Sequence, residues 1–386
     1  MGRRRRMKTE CLAALGDRMT RISIPALVFM LTVLALSRAG AAPKPAPDLR
    51  IISVDVEGGA AVLFMTPEGK SMLIDTGFPP GGGTQRSTPG FPPPGPQDAE
   101  RIAKAAATLG IRKLDYLLIT HYHGDHIGGL EALLAKLPVD TFIDHGPNRE
   151  IPLVNLPPER RAGTPQARYP ALVAAYQGHN HILARPRETL DIGSMHIQFV
   201  SADGDVLSAP LPGAGKSNPD CAGVKQATND GGDENNRSVG SLITFGKTRV
   251  LYLGDLTWNK EIELLCPVNR VGPVDVYFVT GHGMNLSSSP PTRALDPLVA
   301  IMQNGPIKGG DDSVINMVNS YPSLQGFWRT HYTVRYPDLN GDPNYIANPD
   351  WLPEQAYNIS IDIALDGRIT VINGRSTFSK TYKARE

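Results

Sequence analysis

The chain has 386 residues, 41% of them hydrophobic and 20% charged, with 39 Lys+Arg against 38 Asp+Glu. This is globular composition and excludes disordered, collagen-like and coiled-coil classes; a formal charge of +1 excludes a protein that coats nucleic acid with a basic face. The length admits two average domains or one large α/β domain.

Residues 1–41 carry the features of a secretory signal. Arg3, Arg4, Arg5, Arg6 and Lys8 form a basic start, residues 24–36 are apolar apart from Thr32, and Ala39-Gly40-Ala41 offers a small-residue cleavage site. The apolar run is shorter than the ~20 residues of a transmembrane helix. The expectation is a mature chain from 42 to 386, without a membrane span, exported to the periplasm or outside the cell. An uncleaved membrane anchor is the alternative. Residues 1–41 hold eight Lys+Arg and two Asp+Glu, so the remainder carries a formal charge of −5.

Pro43, Pro45 and Pro47 mark a short linker. Strand patterns follow at 50–56, 60–66 and 71–75, separated by Gly-containing turns. The Gly/Pro-rich stretch 78–96 holds no regular element, and 98–109 predicts a helix closed by Gly110. A buried strand is predicted at 114–120, a helix at 130–137, a strand end at 141–144 and a short helix near 171–176. Residues 189–200 predict a strand or hairpin, 239–245 with 249–253 a hairpin, 258–265 a helix and 274–279 a buried strand. The Asp366-Gly367 turn predicts a C-terminal hairpin over 357–373. Insertions are expected at about 150–188 and 201–237. Alternating strands and helices in both halves give a mixed α/β class. Cys221 and Cys266 are either a disulfide tying the second insertion to the end of the helix at 258–265, or two separate thiols.

The chemistry concentrates at Thr120-His121-Tyr122-His123-Gly124-Asp125-His126, which holds three of the nine histidines. The segment leaves a strand and enters a Gly-Gly-led helix. Histidines two apart in extended chain project to one side, as two ligands of one ion must, and Asp125 and His126 at the turn face a second. Imidazole with carboxylate suits Zn(II), and Fe or Mn less selectively.

His121-x-His123-x-Asp125-His126 resembles the signature of the metallo-β-lactamase fold superfamily. Val54-Asp55-Val56-Glu57-Gly58-Gly59-Ala60, Leu73-Ile74-Asp75-Thr76-Gly77, Leu253-Gly254-Asp255 and Thr280-Gly281-His282-Gly283 follow in the family's order. Within it, Asn235-Asn236-x-Ser238 and Ser287-Ser288-Ser289 resemble the hydrolase domain of DNA-uptake competence proteins, without that family's membrane channel. The resemblance implies a four-layer αβ/βα sandwich with its site at the edge between two sheets. It implies His121 and His123 on one metal, Asp125, His126 and His282 on the other, Asp255 bridging, and Asp75 orienting the histidine loop. The implied reaction is hydrolysis by hydroxide held between two ions, most simply zinc, with Asp125 and Asp255 as the catalytic carboxylates. The substrate is left open between phosphodiesters and cyclic amides or esters. A mono-iron redox enzyme or a non-hydrolytic metal-binding protein of the same fold is the alternative.

One departure stands out. Many members supply a third histidine to the first metal from a turn before the bridging aspartate. Asn235 and Asn236 fall there instead, and His196, inside an apolar alternation, reads as a strand residue rather than as the missing ligand.

Overall fold

The computed structural model describes residues 48–82, 97–150, 161, 164–350 and 356–385. The signal segment, the prolines at 43–47, most of the 78–96 loop and the start of the 150–188 insertion lie outside the described residues.

Eighteen strands among the described residues form two sheets. In chain order they are β1 (Leu49–Ser53), β2 (Val62–Met65), β3 (Ser71–Ile74), β4 (Leu114–Leu118), β5 (Val139–Asp144) and β6 (Asn180–Leu183). The second sheet is built by β7 (Thr189–Ile192), β8 (Met195–Ala202), β9 (Asp205–Val206), β10 (Gly240–Phe245), β11 (Thr248–Tyr252), β12 (Val276–Phe278), β13 (Val299–Met302), β14 (Gly326–His331) and β15 (Ile346–Asn348). The chain then returns to the first sheet with β16 (Ile359–Ile363), β17 (Arg368–Asn373) and β18 (Ser379–Lys383). The expected C-terminal hairpin is therefore part of the scaffold: β16 pairs antiparallel with β1, Leu49 opposite Ile363. The helices are α1 (Asp98–Thr108), α2 (Leu130–Leu134), α3 (Pro165–Tyr176), α4 (Trp258–Leu265) and α5 (Asp312–Asn319).

The period-2 alternation of the strands explains the layering. Val62, Phe64, Met72 and Ile74 from the first sheet meet Val250, Tyr252, Val276, Phe278, Val299 and Ile301 from the second in one inter-sheet core. The intervening residues face outward but are buried too. Leu63 and Leu73 pack with Ile102 of α1, Leu130 of α2 and Leu172 of α3. Leu251, Tyr277 and Ala300 pack with Leu264 of α4 and Val314 and Ile315 of α5. Sheets covered on both faces read as continuous apolar runs, as 116–119 and 276–279 do. The result is the four-layer sandwich.

Strands β3 to β6 run parallel, and so do β11 to β15. Parallel strands end at a common edge, so the segments after β3 and β4 come together at one edge of the first sheet, and those after β11 and β12 at one edge of the second. The 150–188 segment supplies α3 and the edge strand β6 in addition to loop, and α3 begins at Pro165, earlier than its sequence pattern indicates. Cys221 and Cys266 form a disulfide that ties the 201–237 segment to the end of α4. No helix among the described residues is long and apolar enough to cross a membrane.

Candidate metal centre

Thr120 to His126 follow β4, and a short approach of backbones holds them in place. A Cβ on Gly129 would collide with the Thr76 carbonyl, so only glycine lets the start of α2 lie against the β3 turn. Ala60 N donates to Asp125 O at 3.0 Å and Thr76 N to His126 O at 2.6 Å, lacing the loop to the segments just before β2 and just after β3. From the second sheet, Gly254 with φ +59° turns the chain out of β11 to present Asp255, and Gly281 with φ +61° does the same for His282 after β12.

These turns bring Asp125, His126, Asp255 and His282 together, with one donor atom from each lying within 4.8 Å of all the others. His126 Nε2 and His282 Nε2 are 3.1 Å apart. Asp255 Oδ1 lies 3.3 Å from both, and Asp125 Oδ2 lies 3.5 Å from the first and 3.2 Å from the second. Two imidazole nitrogens facing one another between two carboxylates are a donor set that fits a cation, and the chemistry matches a borderline divalent metal. His121 Nε2 and His123 Nδ1 converge at 3.0 Å beside it, and the His121 ring centroid is 4.0 Å from that of His126. The structure thus brings Asp125, His126, Asp255 and His282 to one point and sets the His121–His123 pair next to them.

The outer nitrogens fix the tautomers. Asp75, fully buried, accepts from Thr120 N, Thr120 Oγ1 and His126 Nδ1, each at 2.8 Å. His282 Nδ1 donates to the Gln303 carbonyl at 3.1 Å. His121 Nδ1 lies 3.1 Å from Thr120 Oγ1 and 3.5 Å from Ser238 Oγ. Each arrangement leaves Nε2 for the centre. Burial, with the neighbouring His126 and His123, pulls the His121 pKa well below the ordinary imidazole value, which keeps it neutral as a ligand must be. Burial would do the same to His126, but Asp255, Asp125 and Asp75 overcome it and raise its pKa. Asp125 and Asp255 are held well below the carboxylate range despite burial, Asp125 chiefly by Lys308 and His126, Asp255 by His282 and His126.

The candidates for the third ligand separate clearly. His196 is on β8, about half exposed, with Nδ1 2.6 Å from Asp191 Oδ1. Asn236 Oδ1 accepts from Thr257 Oγ1. Asn235 is buried, donates from Nδ2 to Gly231 O at 3.2 Å, and leaves Oδ1 buried without a hydrogen-bond partner.

Several participants carry no sequence motif. Glu234, buried at the end of the 201–237 segment, accepts from Tyr122 N at 2.8 Å and lies 3.0 Å from His145 Nε2, docking that segment under the histidine loop. Lys308 reaches from beyond β13 to Asp125 Oδ2 and donates to Gly58 O at 2.8 Å, with its ammonium 5.5 Å from the centre of the Phe78 ring. Behind the centre, Arg101 of α1 binds Asp55 and Glu57, and His331 Nε2 lies 2.7 Å from Asp55 Oδ1. The Ser287-Ser288-Ser289 segment is held by the buried Glu261 carboxylate, which accepts from Ser288 N and Ser289 N at 3.1 and 2.6 Å.

Residues 55–208 match the family model of the metallo-beta-lactamase superfamily, a stretch that includes His121, His123, Asp125 and His126. A hydroxyacylglutathione hydrolase of Alkalilimnicola ehrlichii is 46% identical over 63 residues, 16% of this chain and 23% of that protein. Another, of Rhodopseudomonas palustris, is 34% identical over 118 residues, 29% of this chain and 40% of that protein. The matches thus span less than half the length of these relatives. The metallo-beta-lactamase fold protein YhfI of Bacillus subtilis aligns with a TM-score of 0.40 at 12% identity, over 72% of this chain and 95% of YhfI.

Proposed function

We propose that this chain, which has the metallo-β-lactamase fold and matches that superfamily over residues 55–208, is a metal-dependent hydrolase of ester, thioester or phosphodiester bonds. The observation that carries the reading is the convergence of Asp125, His126, Asp255 and His282 on one point, beside the His121–His123 pair. The local likeness to two hydroxyacylglutathione hydrolases supports hydrolysis over redox chemistry. The narrower resemblance to the competence-protein domain keeps phosphodiesters among the substrates to be tested.

Asp125, His126 and His282 would hold one ion, His121 and His123 the other, and Asp255 would serve both; zinc is our proposed metal. Bound there, the ions supply Lewis acidity, activating water and polarising the oxygen of the scissile group. The chain's own residues do the rest. Asp75 and the Gln303 carbonyl hold His126 and His282 with their Nε2 lone pairs inward. Asp125 is the more exposed of the two acidic candidate ligands, 14% against 6% for Asp255, and is our choice to orient the attacking water. Asn235 Oδ1, buried and unpartnered, is our choice for the third donor of the looser site. An amide oxygen is a poorer zinc ligand than imidazole, so the two sites should be unequal.

Export is also proposed. The basic and apolar start of the chain supports it, and so does the Cys221–Cys266 disulfide, a bond that persists in oxidising compartments.

The test is metal analysis of purified protein during stepwise chelation, alongside hydrolysis of chromogenic ester, thioester, lactam and phosphodiester substrates. Two ions of unequal affinity and activity on one substrate class are expected. His126→Ala and His282→Ala should each lose an ion and nearly all activity; unchanged metal content and full activity in both would refute the assignment.

A further inference from the structure

The buried ligands leave few routes inward. His121 and His126 are fully buried, and Asp255 and His282 nearly so, while His123, Gly124 and Asp125 are the part of the centre that reaches solvent. Among the described residues, 123–125 are therefore the approach to the centre. Two cations stand on that stretch. Lys308 is ion-paired to Asp125. Arg168 of α3 lies over Gly124, so close that a Cβ built there would sit 3.3 Å from its Nε and from one terminal guanidinium nitrogen.

Arg168 differs from the other cations around the centre in having no counter-ion among the described residues. Its side chain makes no hydrogen bond or ion pair with any described residue, and its Nε is buried without a partner. Asp125 and Glu131 act on it only from beyond ion-pair distance, and burial lowers its pKa from the ordinary guanidinium value. Glu150, near His123, does not serve it either, since its carboxylate is taken by Gln166 Nε2 at 2.8 Å. A half-buried guanidinium fork with five donors and no acceptor at a site entrance is an incomplete ion pair.

We propose that Arg168 receives an oxyanion of the substrate, so that this site takes substrates carrying a carboxylate or phosphate next to the bond cleaved. This rests on the hydrolase reading above. Arg168 then selects for charge and positions the substrate on the His123–Asp125 rim, while the ligand set acts on the scissile group.

The experiment uses the metal-loaded protein and matched chromogenic substrates: para-nitrophenyl butyrate, which is neutral, para-nitrophenyl hemisuccinate, which carries a carboxylate, and bis(para-nitrophenyl) phosphate. Arg168→Gln should lower kcat/KM for the better anionic substrate, relative to the neutral one, by about tenfold to a hundredfold, mainly through KM, as loss of a charge-assisted bidentate contact implies. Arg168→Lys should recover part of the ratio. Whichever anionic substrate responds tells carboxylate from phosphate recognition. A second arm measures melting with added succinate or inorganic phosphate; one of them should raise the wild-type Tm, and Arg168→Gln should lose at least half of that shift. Arg168→Met, which keeps the packed aliphatic stem, repeats both arms if the Gln variant folds poorly. An unchanged substrate ratio together with an unchanged anion shift overturns the proposal and leaves the hydrolase reading standing. A wild type that cleaves none of the esters overturns the hydrolase reading instead, and the anion arm alone then decides: a shift lost in the variants supports Arg168 as the receptor, and a shift retained overturns it.

Discussion

Arg101 is the residue whose replacement should most clearly expose how the scaffold supports the centre. Its guanidinium, 4% exposed, sits between two carboxylates, Asp55 at 1% and Glu57 at 2%. One nitrogen donates to Asp55 O at 3.1 Å and Oδ2 at 3.2 Å, the other to Glu57. Arg101→Met keeps the stem and deletes the charge, leaving two carboxylates in the interior with less compensation. Breaking a buried pair in this way costs about 3–5 kcal/mol. With an unfolding entropy of about 2.1 cal/mol/K per residue over roughly 340 residues, Tm should fall by about 4–7 °C. The pH dependence carries a second signature. Burial pushes the Asp55 carboxyl up, but His331 and then Arg101 overcome it and hold it at about 2, against 3.8 for the free group. A depressed carboxylate pKa contributes stability that is fully present above the unfolded value and lost as pH falls through the folded one. For Asp55 that is about 2.5 kcal/mol, lost between about pH 4 and pH 2. The variant has less of it to lose, so the gap between the two proteins should narrow across that window. Differential scanning calorimetry from pH 2 to pH 7, with chelator present in both samples so that metal release does not contribute, measures both effects. A variant melting within about 1 °C of wild type, with a parallel pH profile, would refute the reasoning.

Two further outcomes follow from the same geometry. Asp75→Asn replaces one acceptor oxygen by a donor where Thr120 N, Thr120 Oγ1 and His126 Nδ1 all donate; metal affinity, measured by competition with a chromogenic chelator, should fall about 10–100-fold, and an unchanged affinity would mean His126 is oriented by something else. Glu261 is pushed by burial to about 7 despite hydrogen bonds from Ser289 and Ser288, so the folded state holds its proton more tightly than the unfolded one, and about 3 kcal/mol of stability should be lost as pH rises from about 4.5 to 7; Glu261→Gln should flatten that slope in urea titrations, and an equal slope in both proteins would contradict it.

The two predictions about buried carboxylates also mark where sequence reading stops. The candidate metal ligands were legible because four of them fall within six consecutive residues, and because Asp255 and His282 each follow an apolar strand. The alternation that builds β1 to β3, β10, β11, β16 and β17 was legible for the same local reason: side chains two apart share a face. What was not legible is brought together by topology alone. Lys308 meets Asp125 across 183 residues, His331 meets Asp55 across 276, and no periodicity encodes either pairing. Arg168 is invisible in sequence because a guanidinium without a partner is recognised only by what does not surround it. The parallel strands β13 and β15 are four and three residues long, and they exist as strands because β12 and β14 offer them backbone partners. α5 did carry a signal, with Asp311 at its start and Val314, Ile315 and Val318 on one face, and it buries that face beneath β13. The division has a chemical consequence. Four of the six candidate ligands lie in a compact local motif, whereas the cations around the centre, Arg168, Lys308 and Arg101, come from helices and loops on which that motif places no constraint. On the reading proposed above, the entrance charge, which Arg168 supplies from α3, can therefore be altered without touching the candidate ligand set, and the Arg168 variants are the direct way to separate substrate selection from metal binding.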